Sequence, residues 1–423
     1  MRPPAILSLA LASLWNRRGS AVLTILAVAV SVMLFLGVDK LKTASQDSFA
    51  QTIQGTDLIV GARTSPVSLV MFSVFHIGNP SAAMTWETYQ WLAGQDSVDW
   101  TVPISLGDSH RGHRVVGTTT DFFQHYNYRG GQSVSFAEGQ AFDDLYDVVI
   151  GARVADELGY SLGEDITLSH GLGEVSFLEH ENRPFKVVGI LNPTGTPIDD
   201  SVLTSLAAIE AIHVGWETGA PSPLAKFTSA DDVRGMDLTP DSVSAVLVGL
   251  TSNRRMLTAQ RAINTYPREA LVAAIPGQAI NEVWQIVGAA GNALMAVSAF
   301  VVLVGLVSIL TSILSSLKER RREMAVLRAI GAGPSHVLLL LVSEAILLAA
   351  IGATIGIGLV YLANLIAQPI FEARFGLTLS AAPPGALDLK VLAAVTGISG
   401  VMALLPAIIA MRASVADGLS IKL

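Results

Sequence analysis

The 423-residue sequence contains no cysteine, so it can form neither a disulfide nor a thiolate metal site. That absence is compatible with an oxidising compartment without requiring one. Charge is also scarce. Only 15% of the residues are charged and 51% are hydrophobic, where soluble domains carry roughly 25% charged residues. This balance points to a membrane protein with a sizeable soluble part. No Gly-x-x-x-x-Gly-Lys-Ser/Thr run occurs, and no lysine directly follows a glycine, so ATP is not expected to bind through a P-loop in this chain. His-Glu-x-x-His and Gly-x-Ser-x-Gly are missing too. No catalytic residue can be named, no cofactor is expected, and the chain reads as a non-enzyme. A net charge of -8 argues against a nucleic-acid partner.

The charge that is present is unevenly placed. Between Asp39 and Glu282 there are 29 acidic and 15 basic side chains, while the remainder holds 6 acidic and 12 basic. The basic residues outside the central region gather at Arg17-Arg18, at Lys318 to Arg328 and at Arg412. Lysine and arginine stay on the cytoplasmic side of short loops. Both termini and the 318–335 loop are therefore expected in the cytoplasm, and the acidic central region outside it.

Read in order, residues 1–19 form an amphipathic cytoplasmic segment, with Ile6 to Trp15 apolar at helical spacing. Residues 20–55 hold a first span and a stalk, which Gly55 closes. A secretory signal is the competing reading. The apolar run from Ser20 to Val38 is too long for one, however, and no Ala-x-Ala site follows. Residues 56–280 alternate between strand and helix patterns. Strands are expected at 57–60, 98–106, 114–118, 148–150, 166–168, 185–190 and 242–250. Helices are expected at 81–92, 152–158 and 253–266, with Asn253 as a cap. Met71 to Phe75 reads as an apolar loop, either core or a lip for cargo or a partner. A third span, 337–366, a short outer loop, 367–386, a fourth span, 387–411, and a tail, 412–423, complete the chain. Pro406 is placed to kink the fourth span.

The stretch around which these parts are arranged is 281–335. It is uncharged from Ile286 to Leu317, which exceeds the roughly 20 residues needed to cross a bilayer. A helix over 281–317 would be about 55 Å long, so its polar Asn281 end should project from the lipid as a second stalk. Beyond Leu317, residues 318–335 read as a short amphipathic helix. Met324, Leu327 and Ile330 recur on one face, and Gly331, Gly333 and Pro334 stop it. The charges alone fit a simple membrane flank that sets orientation. A lever moved by a cytosolic partner is the sharper alternative.

The string Glu319-Arg-Arg-Arg-Glu323-Met-Ala-Val-Leu-Arg328-Ala-Ile-Gly331-Ala332 closely resembles the segment after the second span of MacB/FtsX/LolC-type ABC permeases. Further matches are Gly117-Thr-Thr-Thr-Asp121-Phe-Phe, Val149-Ile-Gly-Ala-Arg-Val-Ala-Asp-Glu-Leu-Gly159, Gly163-Glu-Asp-Ile-Thr-Leu168 and Val187-Val-Gly-Ile-Leu-Asn-Pro193-Thr-Gly195-Thr-Pro197-Ile-Asp199-Asp200. Pro406-Ala407 and Arg412-Ala413 also match, although Ser414 to Leu419 departs from the family's ending.

The resemblance implies a four-helix membrane α-protein with a large α/β periplasmic domain: a porter-like part and an inserted, mainly β part at roughly 103–235. It implies that Glu319, Arg320, Arg322, Glu323, Met324, Leu327, Arg328, Ile330 and Gly331 seat in a groove of the ATPase. It implies two copies of a cytosolic ABC ATPase that binds the ATP, and a second permease chain in a homodimer or related heterodimer. A periplasmic substrate-binding or adaptor protein is a further possible partner. The inner membrane is the expected location.

Three further features stand out. Glu344, an acid inside the third span, is either functional or a partner that holds the 318–335 loop in register. Gly352 and Gly356 sit four apart, the spacing at which helices pack closely in lipid. His110 and His113, three apart, are weak metal candidates. They keep open a metal-linked (zinc) delivery permease as an alternative function. A membrane-anchored receptor without ATP coupling is another.

Overall fold

The computed structural model describes residues 3–50, 52–170, 184–215, 230–319, 331–375 and 383–412. The chain divides into two compact units. One comprises 1–44, 289–370 and 379–423, and the other 45–288 with 371–378.

The first unit is helical, built from α1 (Pro3–Asn16), α2 (Arg18–Ala50), α3 (Pro276–Glu319), α4 (Pro334–Phe375), α5 (Ala386–Met402) and α6 (Leu404–Arg412), except that residues 45–50 of α2, 276–288 of α3 and 371–375 of α4 belong to the second unit. Among the described residues, four stretches are long and apolar enough to cross a membrane: 18–49, 287–317, 334–371 and 386–411. Their shared core includes Val28, Val32, Leu36, Leu306, Ile309, Ile313, Leu341, Ala345, Leu348 and Ala353. The opposite faces expose Leu294, Val297, Phe300, Val304, Leu365 and Val401, as lipid contact requires.

One difference from the sequence reading appears here. The segment 367–386, expected to be a loop, stays helical to Phe375 and passes through Pro369. A proline inside an apolar helix forfeits one backbone hydrogen bond without ending the helix when the flanking turns are otherwise satisfied. The last span does break. Met402 ends α5 and Leu404 begins α6, where the Pro406 ring would clash with the carbonyl four residues earlier, that of residue 402.

The second unit is built on a mixed sheet, eleven-stranded among the described residues. Its main path uses β1 (Leu58–Ala62), β2 (Val98–His110), β3 (His113–Thr118), β4 (Phe136–Gly139), β5 (Asp147–Ile150), β6 (Phe185–Leu191), β7 (Ser201–Ser205), β8 (Ala245–Leu250) and β9 (Leu271–Ala274). The spatial order is β9-β1-β8-β2-β3-β7-β5-β6-β4. β3–β7 and β5–β6 are parallel, and the other neighbours on this path are antiparallel.

β2 is the join. Its first half, Val98 to Ile104, pairs with β8, and its second half, Ser105 to His110, pairs with β3. The two halves of the sheet therefore share one strand. Burial follows the period of two. Ile59, Leu247, Val149 and Leu203 enter one cluster that runs beneath both parts. Their neighbours split on the other face, with Leu58, Val60, Val246 and Val248 in one cluster and Val148, Ile150 and Val202 in another. Both faces are covered, which explains the nearly unbroken apolar strands.

Local chemistry corrects several sequence expectations. Met71 to Phe75 is not a loop lip: Pro66–Ser73 is a helix, capped by the Ser65 side chain on the Ser68 N–H and begun by Pro66. Phe72, Val74 and Phe75 are core. The helix expected from 81 starts at Trp86, because Thr85 is its cap and Met84 and Thr85 pair with 242–243 as a small ladder. That ladder also splits the expected 242–250 strand. Asn253 opens a 3-10 turn rather than capping the helix, which begins at Met256.

Candidate functional site

In the membrane unit, glycines set the approach of the helices. A Cβ at Gly352 would lie 2.8 Å from Val28 Cβ, and one at Gly356 would lie 2.6 Å from the Ala29 carbonyl oxygen. On α3, a Cβ at Gly305 would lie 2.9 Å from Ser31 Oγ. Helix α2 is therefore in near-backbone contact with both α3 and α4, where dispersion replaces the hydrophobic drive that lipid removes.

Glu344 is buried, with 3% exposure. It faces a cavity of about 20 Å³, enough for about one water, lined among others by Arg17, Ser20, Ser312 and Ser316. An acid on α4 and a base at the α1–α2 turn thus share a polar pocket within the bundle.

A second polar cluster was not anticipated. Lys40 Nζ donates to Tyr361 Oη at 3.1 Å and lies over its ring. Tyr361 Oη donates to Asp388 Oδ2 at 2.9 Å, and Lys40 Nζ is 3.8 Å from that oxygen. Asp388 also accepts the Gly385 N–H at 2.7 Å, so the carboxylate sits at the N-terminus of α5. The three residues tie α2, α4 and α5. Their sequence signal was a lone charge at each end of an apolar run, and nothing local says that these ends meet.

Of the residues expected to face an ATPase, Glu319 is the last residue of α3. Arg320, Arg322, Glu323, Met324, Leu327, Arg328 and Ile330 lie outside the described residues. Gly331 has φ 101°, a left-handed conformation suited to glycine, three residues before α4 begins at Pro334.

In the α/β unit, the ends of α2 and α3 join the core. Phe49 stacks on Phe75 with ring centroids 4.8 Å apart, and Trp284 meets Phe49 edge-on at 5.6 Å.

The two candidate metal histidines face each other across the β2–β3 hairpin. His110 has both ring nitrogens occupied, Nδ1 at 2.6 Å from the Thr167 carbonyl and Nε2 at 2.9 Å from Tyr160 Oη. It is a buried structural residue rather than a ligand. His113 has different company: Nδ1 is 2.7 Å from Asp200 Oδ1, and Nε2 is 3.9 Å from Glu157 Oε2. Beyond Asp200, His76 Nδ1 is 2.9 Å from Ser201 Oγ. Burial, aided by the Arg114 guanidinium and opposed by Asp200, lowers the His76 pKa from 6.5 to about 4. Arg114 itself is spent on the Gly78 carbonyl and Asn79 Oδ1.

Four apolar helices and a large α/β unit define a polytopic membrane protein with a folded domain outside the bilayer core. Two family models match the chain: the MacB-like periplasmic core domain over residues 21–266 and the FtsX-like permease C-terminal domain over residues 295–415. The chain belongs to the MacB/FtsX-like family of ABC transporter permeases, and its α/β unit is the extracytoplasmic domain of that family. The pyoverdine export ATP-binding/permease protein PvdT of Pseudomonas fluorescens is 23% identical over 360 residues, covering 82% of this chain and 50% of that protein. The macrolide export ATP-binding/permease protein MacB of Rhodopirellula baltica is 25% identical over 266 residues, covering 57% and 37%. The chain thus spans half or less of the length of these relatives. The periplasmic region of MacB from Actinobacillus actinomycetemcomitans is 10% identical over 54% of this chain and 94% of that one, with a TM-score of 0.32. So loose a superposition carries no weight in the assignment, which rests on the family models.

Proposed function

We propose that this permease converts ATP hydrolysis by an ABC ATPase into a change of shape in its extracytoplasmic domain. The observation that carries the reading is the continuity of α2 and α3, unbroken helices of 33 and 44 residues. At 1.5 Å per residue they are about 50 and 66 Å long, against a hydrocarbon core of about 30 Å. The Phe49 and Trp284 side chains near their outer ends are packed into the α/β core. A push at the inner end of such a helix moves its outer end, because intrahelical hydrogen bonds resist bending.

In this proposal residues 318–335 form the cytoplasmic coupling segment and 56–280 the exported head. Both termini are cytoplasmic, as the basic flanks favour. Two ATPase subunits engage the coupling segments of two permease chains, a homodimer or a related heterodimer. Arg320, Arg322, Glu319 and Glu323 supply charge at that contact, and Met324, Leu327 and Ile330 the apolar seat. Glu344 and Arg17 hold the inner ends of the spans in register, and Gly352 and Gly356 let α4 follow α2. The cargo class is an amphipathic molecule such as a lipoprotein, peptide or drug, handed to a substrate-binding or adaptor partner outside. Exported pyoverdine and macrolide in the relatives' names support that class.

The test replaces Leu327 and Arg328 together by aspartate. Co-purification with the ATPase in mild detergent should fall at least tenfold, and so should ATP turnover stimulated by the permease. An unchanged complex with unchanged turnover refutes the coupling role. A wild-type chain that retains no ATPase at all supports a membrane-anchored receptor instead.

A further inference from the structure

His113, Glu157 and Asp200 come from three elements that the fold clamps together. His113 opens β3. Asp200 immediately precedes β7, whose Ser201 pairs with Arg114 in the parallel β3–β7 ladder. Glu157 lies on the helix Ala152–Leu158. That helix is seated directly against the 197–200 turn: a Cβ at Gly151 would lie 2.2 Å from the Ile198 carbonyl oxygen and 2.4 Å from that of Asp199. No side chain fits between them, so Glu157 and Asp200 are held on rigid backbone.

His113 is 7% exposed. Its Nδ1 is fixed by Asp200 at 2.7 Å, so with that nitrogen protonated, Nε2 presents a lone pair. Among the described residues Nε2 has no hydrogen bond, and the atom opposite it is Glu157 Oε2 at 3.9 Å. The gap is too wide for a hydrogen bond. It is close to the separation of two ligands on one ion: with bonds of about 2.0–2.2 Å, tetrahedral ligands stand about 3.3–3.6 Å apart. Glu157, 58% exposed, can close the difference by a small rotation. A carboxylate on one imidazole nitrogen and a metal on the other is the usual way a protein sets a histidine's tautomer and orientation. One neutral imidazole with two carboxylates also balances a charge of +2. The ligand-capable atoms of all three residues lie within 4.8 Å of one another.

We propose that His113 Nε2 and Glu157 bind a divalent transition-metal cation of the zinc class on the extracytoplasmic domain, with Asp200 orienting the imidazole and water completing the shell. With two protein ligands the ion is exchangeable. It joins the helix 152–158 to the β3–β7 ladder, so its binding stiffens that part of the domain. The proposal stands independently of ATP coupling.

The test uses the full chain purified in detergent, with zinc titrated against a chromogenic chelator and cobalt(II) as a spectroscopic substitute. The wild type should bind one equivalent of zinc through this site and show cobalt d–d absorption. Because Glu157 is largely exposed, Glu157→Ala should fold and melt like the wild type yet bind zinc at least tenfold more weakly. Asp200→Asn should weaken binding by about 10–100-fold, the range for lost outer-shell partners, and His113→Gln should abolish the cobalt spectrum. A wild type that binds no zinc overturns the proposal. So does a Glu157→Ala variant that binds as tightly as the wild type, whatever His113→Gln does.

Discussion

His76 makes the stability of the extracytoplasmic domain depend on pH, and the dependence can be isolated by one substitution. Burial lowers its pKa from 6.5 to about 4, with Arg114 reinforcing the effect and Asp200 opposing it. The folded domain therefore binds fewer protons at this site than the unfolded chain. Stability from neutral His76 is fully present above pH 6.5 and is lost as pH falls toward 4. The whole shift corresponds to about 3 kcal/mol. His76 retains some exposure, so the penalty between pH 7 and pH 5 should be about 1–2 kcal/mol. Asparagine is the informative replacement. His76 sits at φ 55°, a left-handed conformation that asparagine tolerates better than most residues, and its amide can meet Ser201. His76→Asn should melt with a visibly shallower pH dependence over this window, followed by tryptophan fluorescence of the full chain in detergent. If the variant loses as much stability as the wild type between pH 7 and pH 5, the buried-histidine argument is refuted.

Two further outcomes test the membrane unit. Gly356→Val places a side chain where the Ala29 carbonyl leaves 2.6 Å, so it should cost about 1–3 kcal/mol by overpacking. The neighbouring Gly358→Val, with nothing within 4 Å, should be close to neutral; equal melting temperatures for the two variants would contradict the α2–α4 contact. Asp388→Ala removes the acceptor of Tyr361 and Gly385 and strands Lys40, at a cost of about 1–3 kcal/mol. Adding Lys40→Met should recover part of that loss in a thermal melt, as expected for coupled residues; strict additivity would show that the pair does not interact.

The spans were legible because they depend on composition over 20 or more residues. The uncharged run from Ile286 to Leu317 leaves few folds other than a helix in lipid. Strands such as 147–150 and 185–191 were legible because apolar runs bounded by turn residues allow little else. The helix 66–73 was misread because its start depends on two residues, Ser65 and Pro66, preceding a run that by itself suits core, loop or strand. The histidine pair was only half legible for a related reason. Spacing put His110 and His113 together correctly, but spacing carries no information about Thr167 and Tyr160, which occupy His110, or about Asp200 and Glu157, which face His113.

Hydrophobic length and charge asymmetry are sums over local residues, so the chain by itself determined that this is a membrane protein with an acidic head. Its motifs, which are local strings, carried the family. Tertiary structure decided that β2 belongs to both halves of the sheet. It also decided that Lys40, Tyr361 and Asp388 meet, and that His113 rather than His110 has an open nitrogen. Each of these is a contact between residues far apart in sequence. Such contacts exist only once strand register and helix packing have been chosen, and those choices minimise the free energy of the whole chain rather than of any segment.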